Sequence, residues 1–215
     1  MAIYSGPFNS VDGLVLDIDP ANPRSYAGVG NTIYDLSGSG KIGILSNGAA
    51  FSGLNGGSIA FDGTNDYLIF SNCDVMGSVY TQNYWFKRND GGTHLLVDSF
   101  YSGTVVSSGN ITYYYTNSGA TLGASYNFIV GRWNMISLVR GSTVKSIYMD
   151  GNLIASVSSS DSYDVSTTDL IIGIHNSLGF WGLNGNIAQI QIYNRELSAQ
   201  EIFQNYNATK ARYGL

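Results

Sequence analysis

The side chains that most often carry out acid–base and metal chemistry are scarce in this 215-residue chain. Its fifteen acidic residues are thirteen Asp and two Glu, and there are two His, His94 and His175. Glycoside cleavage uses two carboxylates facing each other across a cleft. The two glutamates, Glu196 and Glu201, stand five residues apart around a helix start, where capping accounts for Glu201. A pair of Asp could also act, but no Asp-x-Asp falls in the middle of a strand. Asp17 and Asp19 come nearest, at a strand end before Pro20. Neither His has a second His or Cys at ligand spacing, and no Gly-x-Ser-x-Gly presents a nucleophile. No catalytic residue is therefore expected. Gly38-Ser-Gly40-Lys-Ile-Gly43 matches a dinucleotide fingerprint literally, but Ile-Leu-Ser-Asn-Gly follows it and cannot start the helix whose amides would face a pyrophosphate.

Two groups of residues carry binding chemistry. Asp62, Asn65 and Asp66, in Phe61-Asp-Gly-Thr-Asn-Asp-Tyr67, are hard oxygen ligands of the kind calcium takes. The same residues also make Asx turns, in which side-chain oxygens accept from nearby amides. Calcium is the one cofactor considered. Exposed aromatic rings stack on sugar faces. Tyr113 and Tyr115 share a strand face, with Tyr114 opposite, and Trp181 follows Phe180 in a Gly-rich loop. Tyr113, Tyr115 and Trp181 are thus the carbohydrate candidates, although a sandwich of this size also needs such rings for its core or for subunit contacts.

Composition narrows the partners. Charged residues make up 12% of the chain, the net charge is −5, and the ten Lys and Arg form no stripe. Nucleic acid is not an expected partner. No apolar run nears the roughly 20 residues of a membrane span. The single Cys73 allows no internal disulfide and reads as a small apolar filler. The start, Met1-Ala-Ile-Tyr-Ser-Gly-Pro, lacks a basic segment and an apolar core, so a secretory signal is not expected. Polarity comes instead from 27 Ser, 20 Asn and 16 Tyr.

The elements that must position these residues are strands. Apolar alternation predicts strands over 13–19, 58–62, 84–87, 95–100, 111–116, 126–130, 133–140, 145–150, 153–157, 170–174 and 186–193. Asn47-Gly48, Asp62-Gly63, Asp90-Gly91 and Asp150-Gly151 punctuate them as turns. Residues 20–57, rich in Gly, Ser and Asn, are expected to contain long loops, and 156–168 to form a second polar loop. One helix is expected over about 198–210. Ser198 and Glu201 form its capping box, Leu197 and Ile202 a hydrophobic staple, and Lys210 and Arg212 suit its C-terminal end. It should dock on the edge or side of a sandwich.

Five motifs occur in a familiar order: Phe61-Asp-Gly-x-x-Asp-Tyr67, Tyr84-Trp-Phe-Lys87, Arg132-Trp-Asn-Met-Ile-Ser-Leu-Val139, Ile147-Tyr-Met-Asp-Gly151 and the run from Gly185-Asn-Ile to Ile202. Over about residues 12–207 the series resembles the laminin-G-like branch of the concanavalin A-like lectin/glucanase superfamily. That resemblance implies an all-β jelly-roll sandwich of two antiparallel sheets with one short C-terminal helix. It would form a single domain over 12–215 after an N-terminal extension, 1–11. Ala188 and Gln189 stand where the family usually has acidic residues, and its calcium positions are not matched closely enough to transfer. The opening from Asp12 to Tyr26, with Ile33 to Gly40 and Gly56 to Tyr67, is similar to laminin-G-like virion proteins of tailed phages. This implies a non-enzymatic virion structural protein of a capsid, neck or tail, made in host cytoplasm. Its partners would be other virion proteins and a second copy of itself. The alternative is an adhesin that recognises host surface carbohydrate.

Overall fold

The computed structural model describes residues 9–73, 75–99, 102–114, 121–159, 169–175 and 181–215. Among the described residues, sixteen strands form two antiparallel sheets. In chain order they are β1 (Leu14–Ile18), β2 (Thr32–Tyr34), β3 (Ile42–Ser46), β4 (Ala50–Ser52), β5 (Ser58–Asp62), β6 (Tyr67–Phe70), β7 (Tyr80–Arg88) and β8 (His94–Ser99). There follow β9 (Ser102–Val106), β10 (Asn110–Tyr114), β11 (Thr121–Ser125), β12 (Trp133–Arg140), β13 (Val144–Met149), β14 (Asn152–Ser158), β15 (Leu170–Ile172) and β16 (Asn184–Tyr193). Sheet A runs β14-β13-β12-β7-β16-β5-β4, with β1 also paired to β16. Sheet B runs β11-β10-β9-β8-β15-β6-β3-β2. The result is a concanavalin A-like jelly-roll sandwich.

Period-two alternation turns one face of each sheet inward. Leu16 and Ile18, Tyr84 and Phe86, Ile136 and Leu138, and Ile190 and Ile192 from sheet A meet Leu68 and Phe70, Ile111 and Tyr113, and Leu170 and Ile172 from sheet B in one buried core. Every residue of β12 is buried. The alternate set explains this: Trp133, Met135 and Val139 lie in a second apolar cluster with Trp85, Tyr193, Leu197, Ile202 and Tyr213. The C-terminal segment thus covers the outer face of sheet A rather than an edge.

That segment is helix α1 (Ala199–Thr209) followed by a 3-10 turn, Lys210–Tyr213. Ser198 caps it as expected. Ser198 Oγ accepts from the Glu201 amide (3.2 Å), and Glu201 Oε2 accepts from the Ser198 amide (2.9 Å). Arg195 Nη2, 2.6 Å from Glu201 Oε1, is the main reason the Glu201 carboxyl is pulled down to about 2. Ser198→Ala should cost about 1 kcal/mol in chemical denaturation, the usual worth of an N-cap.

Under the segment lies a polar row across four strands. Asp17 pairs with Gln191, Gln191 with Asn83, and Asn83 with Ser137. Both amide atoms of Asn83 and Ser137 Oγ are buried there without a hydrogen-bond partner among the described residues.

The span 20–57 holds β2, β3 and β4 as well as loops. Gly38 to Gly43 runs into β3 and, as expected, starts no helix. One expectation changes: residues 126–130 are not a strand. Their alternation reflects ring packing: Phe128 meets Phe86 and Tyr126 edge-on, at 5.8 and 4.8 Å between centroids, while the backbone joins no ladder.

Candidate carbohydrate-binding site

The sequence candidates separate in the structure. Tyr113 is 0% exposed, and its hydroxyl donates to the Tyr80 hydroxyl at 3.0 Å. Its ring belongs to the core and offers no face to a sugar, which corrects its place among the candidates. Ile111 decides this, because it points inward two residues earlier. Tyr114, half-buried on the opposite face, is the tyrosine of this strand turned outward. Tyr115 lies outside the described residues.

Trp181 is 45% exposed. It also holds φ +56°, a left-handed conformation that costs a non-glycine residue roughly 1–2 kcal/mol. Strain of this sort persists only where neighbours enforce it, and it concentrates at functional positions. The Leu95 amide donates to the Trp181 carbonyl (2.8 Å), the next carbonyl, of Gly182, lies 2.8 Å from His94 Nδ1, and the Leu183 amide donates to the Gly173 carbonyl (2.7 Å). Gly182 has no room for a side chain, since a Cβ there would stand 2.8 Å from the Gly63 carbonyl oxygen.

Beside the indole stands His175, its ring edge-on at 5.9 Å. His175 Nε2 is 4.0 Å from Asp98 Oδ2. Asp98 lies on the outer face of sheet B, in a row set by strand register: Ile44, Ile69, Ile171, Asp98, Gly103, Tyr114. Gly103 stands between Asp98 and Tyr114 in this row. Asp98 and Gly103 are buried, so the surface offered to a ligand is the indole of Trp181 with the partly exposed His175 imidazole beside it, and the half-buried Tyr114 farther along the row. An apolar ring surface with a few hydrogen-bonding groups around it is suited to a sugar, whose C–H face stacks while its hydroxyls bond.

The loop of Asp62, Asn65 and Asp66 is built as a turn. Asp62 Oδ1 accepts from the Thr64 amide (2.7 Å) and Asp66 Oδ2 from the Asp62 amide (2.9 Å). Burial, with Asp62 nearby, raises the Asp66 carboxyl above the ordinary range despite that amide bond. Among the described residues no three His, Cys, Asp or Glu gather as for a metal ion. One oxygen of each carboxylate is thus bound to an amide, while Asp66 Oδ1 is buried without a hydrogen-bond partner among the described residues.

A model of the concanavalin A-like lectin/glucanases superfamily, of the laminin-G type, matches residues 62–203. The chain belongs to this superfamily. No curated protein matches it in sequence. Structures of similar fold include domain 4 of AbnA, a GH43 extracellular arabinanase from Geobacillus stearothermophilus, in complex with arabinotriose. It is 14% identical, with a TM-score of 0.72 over 90% of this chain and 98% of that one. The receptor-binding domain of botulinum neurotoxin type G is also 14% identical, with a TM-score of 0.69 over 91% of this chain and 51% of that one. The ligand-binding domain of botulinum neurotoxin serotype D, in complex with N-acetylneuraminic acid, has 14% identity and a TM-score of 0.71 over the same shares. The chain spans about half the length of these toxin domains.

Proposed function

We propose that the chain is a non-catalytic carbohydrate-binding domain whose site is the outer face of sheet B around Trp181, His175 and Asp98. The observation that carries this reading is the exposed, strained indole with the His175 imidazole edge-on beside it, itself 4.0 Å from Asp98. Of the two roles expected from the sequence, it favours the glycan adhesin. The arabinotriose and N-acetylneuraminic acid complexes of structurally similar domains support it as analogies. In a virion, the first of the expected settings, the same face would serve attachment to the host. Stacking on an aromatic ring is worth about 0.5–1.5 kcal/mol beyond the area it buries. Trp181→Ala, which removes both, should weaken binding to a glycan-array hit at least tenfold, which is about 1.4 kcal/mol, and leave the melting temperature unchanged or higher. Equal affinity in Trp181→Ala and the unmodified protein would remove Trp181 from the site.

A further inference from the structure

His94 is 4% exposed and has no place on the sugar-facing surface. Its ring lies between two oxygens: Nδ1 is 2.8 Å from the Gly182 carbonyl and Nε2 is 2.6 Å from Asp90 Oδ1. A carbonyl can only accept. Asp90 also accepts, from the Gly92 amide at 2.7 Å and from Asn184 Nδ2 at 2.7 Å. Burial tends to raise the Asp90 carboxyl, but these donors and His94 outweigh it and hold the group below the ordinary carboxylate range. The ring thus spans the space between the Asp90 turn and the Gly182 carbonyl, with one nitrogen at hydrogen-bond distance from each.

We propose that His94 is a positioning residue for the Trp181 platform: bridging Asp90 and the Gly182 carbonyl, it fixes the backbone that presents the indole. The chain of contacts is short. Asp90 sits in the turn between β7 and β8, His94 opens β8, and Gly182 directly follows Trp181. The charged groups around His94 are Asp90 and, behind it, Arg88 of β7, whose Nη2 donates to the Asp90 carbonyl at 3.0 Å. From the side of β16 the ring meets only neutral groups, the Gly182 carbonyl and the Asn184 amide. Without the ring, the Gly182 carbonyl loses its link to the Asp90 turn, and among the described residues the Leu95 amide remains as the hydrogen-bond donor to the Trp181 carbonyl.

This inference rests on reading Trp181 as the platform, but its test needs no sugar. The Trp181 indole N–H resonance is assigned by its loss in Trp181→Phe. The resonances of buried Trp85 and Trp133 on sheet A report whether the fold is intact. In His94→Gln the Trp181 resonance should be displaced, because a single amide nitrogen cannot stand within hydrogen-bond distance of both oxygens. In Asp90→Asn, which keeps the shape but not the charge, it should be displaced as well, because the ring loses its carboxylate partner. Should His94→Gln fail to fold, Asp90→Asn decides alone. A Trp181 resonance that stays in place in Asp90→Asn, or in a folded His94→Gln, would overturn the proposal. A lack of glycan binding by the unmodified protein would instead remove the platform reading and leave the anchoring result standing.

Discussion

Trp85→Ala is expected to destabilise the domain by about 3–5 kcal/mol, the usual cost of deleting a buried Trp, and to release the C-terminal segment. Trp85 is the residue on which that segment closes. Its ring stacks on Tyr213 at 4.1 Å and on Tyr206 at 5.7 Å, and Nε1 donates to Thr209 Oγ1 at 2.8 Å. All three partners belong to residues 199–213. A void there removes apolar contact from the helix and its 3-10 turn together. Arg212 Nη1, 2.9 Å from Asp19 Oδ1, would remain as a polar tether. Denaturant titration gives the stability. Limited trypsin digestion reports release, because cleavage after Lys210 and Arg212 should become rapid. Trp85→Phe, which keeps much of the stacking and loses the hydrogen bond, should lose less. A cost below about 1 kcal/mol for the Ala variant would mean that the helix is held from elsewhere.

Asp17→Asn is expected to act in the other direction. Asp17 sits in the polar row beneath the same segment. Its carboxyl is raised from 3.8 to about 6, by burial first and by the charges of Asp19 and Asp35 after that, against the favourable amides of Gln191 and Gln189. The sign follows from linkage. A carboxyl that holds its proton more tightly when folded destabilises the fold once it ionises. The penalty is absent below about pH 4, grows between about 4 and 6, and is complete above 6. At about 1.4 kcal/mol per pH unit it reaches at most about 3 kcal/mol. The variant should therefore be more stable than the unmodified protein at pH 7.5, by up to that amount, and equal to it at pH 4. The Asp17 amide keeps its bond to Asp35 Oδ1 at 2.9 Å in either case. A variant that is less stable at every pH would show that the carboxylate is a needed acceptor in the row.

The sandwich was legible because its longer strands alternate cleanly. Leu16 and Ile18 are buried as the pattern requires, and Ser198 and Glu201 sit in the capping box that their spacing describes. The short strands were not legible. β2 and β4 have three residues each, with no room for alternation to show among Gly, Ser and Asn. Tyr126 to Val130 misled for the opposite reason, since its alternation serves ring packing rather than a ladder. At the site, Trp181 was legible as an aromatic in a Gly-rich loop. The outward face of β10 could have been read from Ile111, which would have selected Tyr114 and placed Tyr113 in the core. Asp98 and His175 are far apart in sequence, and their approach to Trp181 depends on pairing β15 with β8. No local pattern carries that pairing. His94 looked like an ordinary hydrogen-bonded residue, and its link to Gly182 spans 88 positions.

The central claim is that sugar binds on the outer face of sheet B. Its most direct test is an amide and indole NMR map of the full chain titrated with an oligosaccharide found on a glycan array. Shifts should gather at Trp181, His175, Asp98, Gly103 and Tyr114, and be absent from Trp85, Trp133 and the residues of α1. Shifts concentrated under the C-terminal segment, or no saturable shift with any array hit, would contradict it.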